Sequence, residues 1–458
     1  MTFSIPAAKL SLSGWGSAPK HDSWVFRPEK ERQLSQIISD SPVSSVLSRG
    51  MGRSYGDASL NQDAGVILHT RLNHFLTLDE THGVLCCESG VTLAEIIDVA
   101  IPKGFFLPVT PGTKFISIGG AIAADVHGKN HHRDGTISSQ LISFRILTGS
   151  GQVLHCSREE NPELFWATLG GLGLTGSILQ ATLQLRRVES SWMDQSTQRC
   201  KDLDDLLQRT FEEDDHFEYS VAWVDCLARG RTLGRSILLR ADGAPAETLP
   251  ARLRANPLQM TQSRTLSVPF NLPSFSLNAL NMKIFNRLYW HSHPNERNLQ
   301  PLQTYFYPLD QIHHWNRIYG RRGVSQYQFV LPTATCHEGI QEILEYVVGS
   351  RGASFLAVLK KTGPANAGPL SFPIEGASLA LDFPNRKADL AQILGHLDRL
   401  VIKYGGRVYL AKDSSLSPWA VQEMYSELPY FREIKHRYDP QGRFSSSLLR
   451  RLNLMESQ

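Results

Sequence analysis

Ser48-Arg-Gly-Met-Gly-Arg-Ser-Tyr-Gly-Asp57 (SRGMGRSYGD) directly follows Val43 to Leu47, a short apolar run typical of a buried strand. Glycines in such a loop let backbone N–H groups approach a ligand that a Cβ atom would keep away. Successive amides of this kind form a concave anion site. A tight turn and an anion-binding loop are both open readings of this stretch taken alone, because glycine also punctuates ordinary turns.

Two more glycine-rich stretches occur further along, TPGTKFISIGGAIAA (Thr110 to Ala124) and GGLGLTG (Gly170 to Gly176). Either one could be a turn. Three such loops within one region of mixed helix and strand instead predict an extended ligand that contains phosphate groups.

The segment GLGLTG (Gly171 to Gly176) matches the GxGxxG pattern of Rossmann dinucleotide sites. That pattern requires a strand before it and a helix after it. Here Pro162 to Thr168 has a helical pattern, and Ser177 to Leu185 alternates apolar and polar residues as a strand does. The order of elements is reversed, so a Rossmann site is not predicted.

The region from Val43 to Val188 alternates short apolar runs with glycine turns, which is typical of strands. One helix is predicted after Thr92, since Thr92-Leu-Ala-Glu95 is a capping box ahead of an apolar face. Turn residues within Leu147 to Gln152 predict a β-hairpin. Helices and strands without a regular βαβ rhythm indicate an α+β fold.

The chain has 458 residues, 41% of them hydrophobic and 20% charged, which predicts two or three folding units. A net charge of +3 is far from the basic clusters of nucleic-acid binders, so no nucleic-acid partner is expected. No leader pattern or apolar span is visible in the sequence, so we expect a cytoplasmic or peripherally membrane-associated protein. No CxxC pair occurs, so reduced structural thiols are predicted for the six cysteines: Cys86, Cys87, Cys156, Cys200, Cys226 and Cys336.

Beyond Val188 the pattern changes to charged helical segments (Asp202 to Asp215) and then to a Pro/Ser/Asn-rich, loop-like stretch from Asn256 to Pro301. This stretch carries a run of apolar residues that either complete the core or form a flap that meets lipid or covers a site. They are Phe270, Leu272, Phe275, Leu277, Leu280, Met282 and Phe285.

Two polar segments are candidates for chemistry. In DVHGKNHH (Asp125 to His132), His127 and His131 are four apart, but Gly128 and Asn130 disfavour a helix and no carboxylate completes a ligand set, so no metal site is predicted. In GGRVYLAKDS (Gly405 to Ser414), Lys412 stands where a strand-like run ends. A lysine there is either a solvated rim residue or, in a flavin pocket, a group that polarises a substrate hydroxyl.

Several motifs together resemble the decaprenylphosphoryl-β-D-ribose 2′-oxidase family, flavoenzymes of the vanillyl-alcohol-oxidase superfamily. The similarity covers nearly the whole chain. The motifs are, in order, SRGMGRSYGDASLN, TPGTKFISIGGAIAADVHGKNHH, ELFWATLGGLGLTG, SQYQFVLP, GPLSFPIEG, LDFP and YLAKDS.

The resemblance implies a two-domain α+β flavoprotein with a PCMH-type FAD-binding domain and an inserted α+β substrate domain. Residues 1–190 and 406–458 would form the FAD-binding domain, and residues 191–405 the substrate domain. The family's glycine loops hold FAD largely through backbone amides, in agreement with the anion-loop interpretation. The implied FAD contacts are Arg49, Gly50, Met51, Gly52, Arg53, Ser54, Tyr55, Gly112, Thr113, Ser117, Gly119, Gly120, Ala123, His127, Gly128, Asn130, Gly173, Gly176 and Tyr409. Lys129 is implied to lie in the same segment beside the flavin.

The implied reaction is oxidation of the ribose 2′-hydroxyl of a polyprenyl-phosphate sugar to a keto sugar. A short-chain dehydrogenase/reductase partner would complete the epimerisation to an arabinose donor for cell-envelope glycans, and contact with a membrane surface is expected. The alternative on the same fold is an oxidase of a soluble sugar, alditol or aldonolactone. The implied catalytic residues are Lys412, Gln328, Lys360, Tyr55 and His127, with Lys412 holding the 2′-oxygen or relaying its proton.

The sequence departs from the family pattern in two places. Members that attach FAD covalently often have a histidine in the first glycine loop, where this chain has Arg53, so non-covalent FAD is predicted. Mycobacterial members have a cysteine before the DFP motif where this chain has Ala380, so thiol-directed inhibition there should fail. Ala377 and Ser378 replace bulkier family residues, which leaves the exact sugar and lipid open.

Overall fold

The computed structural model describes residues 5–261, 266–273, 279–350, 357–385 and 389–456. Phe275 and Leu277 from the apolar run lie outside these ranges, as does the side chain of Leu280. Within the described ranges, no helix is both long and apolar enough to span a bilayer.

Residues up to about 190 form two main sheets and a short third pairing. The first sheet has the order β1-β2-β4-β3, with β1 (Ala7–Ser13), β2 (Lys20–Phe26), β3 (Val46–Arg49) and β4 (Gly65–Leu68). The second has the order β5-β6-β10-β8-β9. Its strands, and the short β7 and β11 that pair with each other, are β5 (Phe75–Asp79), β6 (Val84–Glu88), β7 (Phe105–Phe106), β8 (Leu141–Leu147), β9 (Val153–Ser157), β10 (Ser177–Gln184) and β11 (Arg186–Arg187).

Five helices accompany these sheets: α1 (Glu31–Asp40), α2 (Leu93–Ala100), α3 (Ile118–Ala123), α4 (His131–Asp134) and α5 (Pro162–Thr168). The capping box of α2 is confirmed, since Thr92 Oγ1 accepts the Glu95 amide at 3.2 Å and Glu95 Oε2 accepts the Thr92 amide at 2.8 Å. The hairpin is confirmed as β8–β9. Helix α5 followed by strand β10 confirms the reversed order that argued against a Rossmann site.

A larger, eight-stranded sheet follows, in the order β16-β12-β14-β13-β19-β20-β18-β21. Its strands are β12 (Trp192–Cys200), β13 (Tyr219–Val224), β14 (Ser236–Gly243), β16 (Glu296–Pro301), β18 (Val324–Pro332), β19 (Ala357–Thr362), β20 (Gly376–Pro384) and β21 (Arg407–Val408), and a separate short pair is β15 (Leu266–Ser267) with β17 (Ile312–His313). Every neighbouring pair in the large sheet is antiparallel. The helices of this part are α6 (Leu203–Glu213), α7 (Ala251–Arg254), α8 (Ala279–Ser292), α9 (Leu302–Phe306), α10 (Cys336–Gly349) and α11 (Leu390–Lys403).

The two faces of this sheet differ in character. On β20, Leu379 and Leu381 are buried apolar residues on the face where helices α10 and α11 pack. Ser378 and Asp382 occupy the other face, because side chains alternate along a strand. The polar face is therefore available for chemistry, while the apolar face forms core.

The loop-like interpretation of Asn256 to Pro301 is wrong for much of its length, since α8 and β16 lie within it. Tertiary contacts override the composition here. Met282 and Asn286 of α8 are buried, and Asn286 Nδ2 donates to Asp225 Oδ1 at 2.6 Å. Asp202 to Asp215 is helical through α6, as predicted.

The chain then returns to its first part through α12 (Pro418–Met424), α13 (Leu428–Tyr438) and α14 (Ser447–Arg451). Phe444 forms a parallel bridge with Val46 of β3. The guanidinium of Arg451 binds both oxygens of Asp57, at 2.7 and 2.8 Å, and Oδ2 of Asp413 at 2.7 Å. The end of the chain is thereby joined to the loop of the opening motif and to the segment that carries Lys412.

Replacing Arg451 with methionine should lower the free energy of unfolding by roughly 2–3 kcal/mol, because two buried carboxylates lose their common cation. Urea denaturation followed by tryptophan fluorescence measures the change. Arg437→Met is the matched control on α13, since the Arg437 pairs with Glu163 and Glu433 are exposed and should contribute little. Equal free energies of unfolding for the two variants would show that the contact of Arg451 with Asp57 and Asp413 does not stabilise the fold.

Candidate active site

Three adjacent strands present a polar patch on one face of the eight-stranded sheet. In the antiparallel register, Lys360 of β19 lies opposite Ser378 of β20, and Ala380 of β20 lies opposite Gln328 of β18. The Gln328 amide donates to Ser378 Oγ at 3.1 Å. The patch therefore brings together Lys360 and Gln328, two of the predicted catalytic residues.

His127 reaches this patch from the loop after α3. Its Nε2 atom is 2.9 Å from Gln328 Nε2, so the amide donates and the ring accepts. Burial, and then the charge of Lys360, hold the pKa of His127 well below its usual range, so the ring is neutral. His131 Nδ1 instead accepts the Gly363 amide at 3.0 Å. Among the described residues, no group of three His, Cys, Asp or Glu side chains could hold a metal ion.

Lys412 and Tyr55 meet at the edge of the patch. The Lys412 ammonium lies 4.3 Å from the centre of the Tyr55 ring, and the Tyr55 amide donates to the Ala411 carbonyl at 3.3 Å. Only Arg407–Val408 of the predicted strand-like run forms a strand, and Lys412 lies in the turn that follows it. The opening glycine loop and this turn are in direct contact, although they are more than 350 residues apart in the chain. Burial raises the pKa of Tyr55 well above its usual value, so its phenol keeps its proton.

Asp382 completes a buried polar network beside Lys412. Its carboxylate accepts from Gln326 Nε2 at 2.6 Å and from the Tyr319 hydroxyl at 3.0 Å. Burial raises the pKa of Asp382 to about 6, and these two donors and the Lys412 charge act in the opposite direction. Sequence reasoning named none of Asp382, Gln326 and Tyr319 as site residues. The LDFP motif and the alternation in SQYQ were the available signals for the first two.

Three lysines are desolvated in this region. Burial lowers the pKa of Lys412 to about 8, against the charge of Asp382, which raises it. Burial and the nearby Lys412 lower the pKa of Lys360 to about 8. Burial and the nearby Lys360 lower that of Lys129 to about 7. Each of these residues nonetheless keeps some accessible surface. The site therefore favours an anion and offers amines that can lose a proton near neutral pH.

Lys129 has a different neighbourhood from the other two lysines. Its ammonium donates to the Tyr305 carbonyl and lies 4.1 Å from the centre of the Tyr305 ring. The resemblance placed Lys129 beside the flavin, and the structure adds that its charge is coupled to that of Lys360.

The opening motif forms a run of free amides. Among the described residues, no acceptor receives a hydrogen bond from the backbone N–H groups of residues 50–54. Gly50 lies so close to Ser117, the N-cap residue of α3, that a Cβ atom would stand 1.9 Å from Ser117 Oγ. Gly52 has a φ of +62°, which favours glycine. Five free donors in a row suit the oxygens of a pyrophosphate, so the loop fits the FAD that the resemblance implies.

The other two glycine loops converge on this one. The Leu172 amide donates to the Ala123 carbonyl at 2.8 Å, which ties the third loop to the end of α3. Gly173, with a φ of +77°, faces Leu47 and Ser48 of β3. Open space surrounds Gly112, since nothing lies within 4 Å of a Cβ built there. The three stretches thus line one region, which a turn-only interpretation does not explain.

Several of the implied FAD residues have side chains that hold the protein itself. Arg49 donates to Ser13 O at 2.7 Å and to Ser59 O at 2.9 Å, so its guanidinium braces the loop. Asn130 Nδ2 donates to Pro108 O at 2.8 Å, while its buried Oδ1 has no partner among the described residues. Gly176 packs against β8, where a Cβ atom would stand 2.7 Å from Leu147 O.

Tyr409 and Arg53 are both held by contacts with neighbouring residues. The Tyr409 hydroxyl donates to the Ala124 carbonyl at 2.6 Å, and its ring stacks on Phe372 and lies 5.9 Å from the ring of His127. The Arg53 guanidinium lies 4.1 Å from the centre of the Trp15 ring. The remaining predicted contacts belong to the same loops and to α3: Met51 is exposed, the Ser54 carbonyl accepts the Trp15 amide, Thr113 Oγ1 accepts the Phe115 amide, Gly119 abuts Ser89, Gly120 donates to Ser117 Oγ, and Gly128 abuts Thr110.

Comparison with known proteins agrees with these features. Residues 23–157 match the model of the FAD binding domain family, and residues 384–452 match that of D-arabinono-1,4-lactone oxidase. The chain is 35% identical to decaprenylphosphoryl-β-D-ribose oxidase of Mycolicibacterium smegmatis over 99% of this chain and 100% of that protein. It is 38% identical to an uncharacterised protein of Streptomyces coelicolor over 80% of this chain and all of that protein. A D-arabinono-1,4-lactone oxidase of Candida glabrata is 26% identical over 41% of this chain and 36% of that protein. The cofactor of this chain is FAD.

Proposed function

Because the chain belongs to the decaprenylphosphoryl-β-D-ribose oxidase family, we propose that it oxidises the 2′-hydroxyl of a polyprenylphosphoryl-β-D-ribose to the 2′-keto sugar. The observation that carries the proposal is the joining of three sequence-distant elements, the free-amide loop, His127 and the lysine-bearing sheet face. Similarity over the full length of both proteins supports the same conclusion.

Bound FAD would be held by the three glycine loops and would supply the two-electron acceptor for the C2′ hydride. The chain itself must then manage the hydroxyl proton. Lys412 is suited to this task, since its pKa of about 8 leaves a fraction of free amine at neutral pH. As the amine accepts the hydroxyl proton, Asp382 stabilises the ammonium that forms.

Lys360 and Gln328 are placed to orient the sugar. Gln328 is held by His127 and Ser378, so its amide has a fixed position on the polar face. Lys360 and Lys129 add positive charge on the same side, which suits the phosphodiester of the substrate. We propose that these two lysines bind the phosphate.

The 2′-keto sugar requires a second enzyme. Reduction from the opposite face inverts the centre and yields the arabinose epimer, a reaction class of short-chain dehydrogenase/reductases. We propose such a reductase as the partner that consumes the product.

Oxidation of a soluble sugar or aldonolactone is the alternative. One observation favours this alternative: residues 384–452 match the D-arabinono-1,4-lactone oxidase model. The similarity to the lactone oxidase of Candida glabrata covers only 41% of this chain, however, whereas the relative that acts on the lipid-linked ribose matches from end to end.

FAD should be released on denaturation, because Arg53 stands where covalent members have their histidine and is instead stacked on Trp15. Precipitation of the purified protein with acid, followed by absorption spectra of both fractions, measures the release. We expect the flavin absorbance in the supernatant. A pellet that stays yellow would show a covalent bond.

Anaerobic mixing with substrate tests the reaction itself. Polyprenylphosphoryl ribose should bleach the flavin absorbance, while free ribose and an aldonolactone should not. Lys412→Met should keep bound FAD but reduce the flavin about 10²–10⁴-fold more slowly, because the proton acceptor is lost. Lys403→Met is the matched control, since Lys403 is an exposed lysine paired with Glu342. Bleaching by the soluble sugar but not by the lipid-linked one would refute the proposal.

The pH dependence of flavin reduction should report Lys412. The rate requires the free amine, so it should rise with pH and level off above about 8. Asp382→Asn should move this midpoint to lower pH, because the carboxylate that stabilises the ammonium is gone. Stopped-flow reduction across pH measures both profiles. If the midpoint of Asp382→Asn does not move, the rise of the rate with pH does not come from the titration of Lys412.

A further inference from the structure

A row of side chains along helix α8 anchors it to the protein. Met282 is buried in a cluster with Tyr55, Tyr319 and Val324. One turn on, Asn286 is bonded to Asp225. The next residue in this row of the helix is Tyr289, whose ring lies 4.8 Å from that of Trp223.

Beside this anchored row, α8 presents apolar side chains to solvent. Ile284, Phe285 and Leu288 are 51%, 48% and 65% exposed, and their spacing of three and four residues places them on one side of the helix. Leu266 and Phe270, just before α8, are 68% and 63% exposed. The four most exposed large apolar side chains of the described residues thus lie in this one segment, which single scattered apolar residues do not explain.

A basic row runs beside this stripe. Lys283, Arg287 and His291 are exposed and follow one another at intervals of four residues. Helix α8 contains no Asp or Glu. Among the described residues, none of these three side chains forms a salt bridge. The charge is therefore available to an external anionic partner.

We propose that α8 is an interfacial helix that docks the protein on an anionic lipid bilayer. Ile284, Phe285 and Leu288 enter the boundary between headgroups and acyl chains, and Lys283 and Arg287 contact the anionic headgroups. An exposed apolar stripe flanked by basic residues is the pattern of helices that lie in the plane of a membrane surface. A second copy of the chain is a poorer occupant, because a symmetric contact through this face would bring two basic rows together.

The purpose of this docking rests on the proposed function. Met282, on the anchored face of α8, packs in the same cluster as Tyr55, which contacts Lys412. A helix seated on the bilayer therefore lies directly beside the active site. A polyprenyl chain could stay in the membrane while its sugar reaches Lys412, so the apolar tail need not cross water.

Vesicle co-sedimentation of the full-length holoprotein, without substrate, tests the docking independently of the reaction. The protein should bind vesicles of phosphatidylcholine mixed with phosphatidylglycerol much more tightly than vesicles of phosphatidylcholine alone. Lys283→Glu/Arg287→Glu should weaken binding about thirtyfold or more at low salt, since each basic residue near the surface contributes roughly fivefold. Ile284→Ser/Leu288→Ser should lower binding by about tenfold or more. Phe75→Ser/Leu76→Ser on β5 is the matched control for lost exposed apolar surface and should bind as the unchanged protein does.

Two results would overturn the inference: no binding of the unchanged protein to anionic vesicles, or undiminished binding by the stripe variant. Sedimentation velocity distinguishes the other occupant, since a dimer that Ile284→Ser/Leu288→Ser dissociates would assign the stripe to a second copy instead. Flavin reduction by a short-chain, water-soluble analogue of the substrate separates the two proposals. The rate of this reduction should be the same in Ile284→Ser/Leu288→Ser as in the original protein. If the analogue does not reduce the flavin of the original protein, the proposed function is refuted, but the vesicle result still stands.

Discussion

The Arg451 guanidinium neutralises two buried carboxylates, Asp57 and Asp413, and the candidate site depends on this contact. Asp57 ends the free-amide loop, and Asp413 follows Lys412 directly. Between these two segments the chain passes through the eight-stranded sheet. A charge-assisted contact with low exposure is a means of fixing two such distant segments, because breaking it would leave unpaired charges in the interior. The hydrogen bond from the Tyr55 amide to the Ala411 carbonyl joins the same two segments within the site.

Once the junction is made, desolvation determines the chemistry. Burial lowers the pKa values of Lys412, Lys360 and Lys129 toward neutrality. The charge of Lys412 lowers the pKa of Lys360 further, and the charge of Lys360 does the same to that of Lys129. Asp382 is itself disfavoured as an anion by burial, and two hydrogen bonds from Gln326 and Tyr319 support its charge. Burial on one side, and these charges and hydrogen bonds on the other, together leave a site that attracts a phosphate yet retains an amine able to take a proton. Neither property belongs to any one of these residues alone.

Helix α8 connects that site to the outside of the molecule. Its buried row touches the Tyr55 cluster, and its outer row is apolar and basic. The composition around it is rich in Asn, Ser and Pro, which predicts a loop. The tertiary anchors Met282 and Asn286 explain why it is helical nonetheless. Neither sequence interpretation of the apolar run accounts for all of its described members, because Met282 is buried in the core while Phe270 and Phe285 are exposed.

The sequence by itself determined several local elements and the family. The capping box of α2, the β8–β9 hairpin and the order of α5 and β10 depend on neighbouring residues, and local rules predict them. The glycine loops could be recognised because φ and close approach restrict residue choice at single positions. Only the tertiary structure decided that Asp382, Gln326 and Tyr319 surround Lys412, that Arg49 braces its own loop, and which side of α8 faces solvent. Desolvation and pairing arise between residues tens to hundreds of positions apart, and no local pattern records how far each side chain lies from water or from another charge.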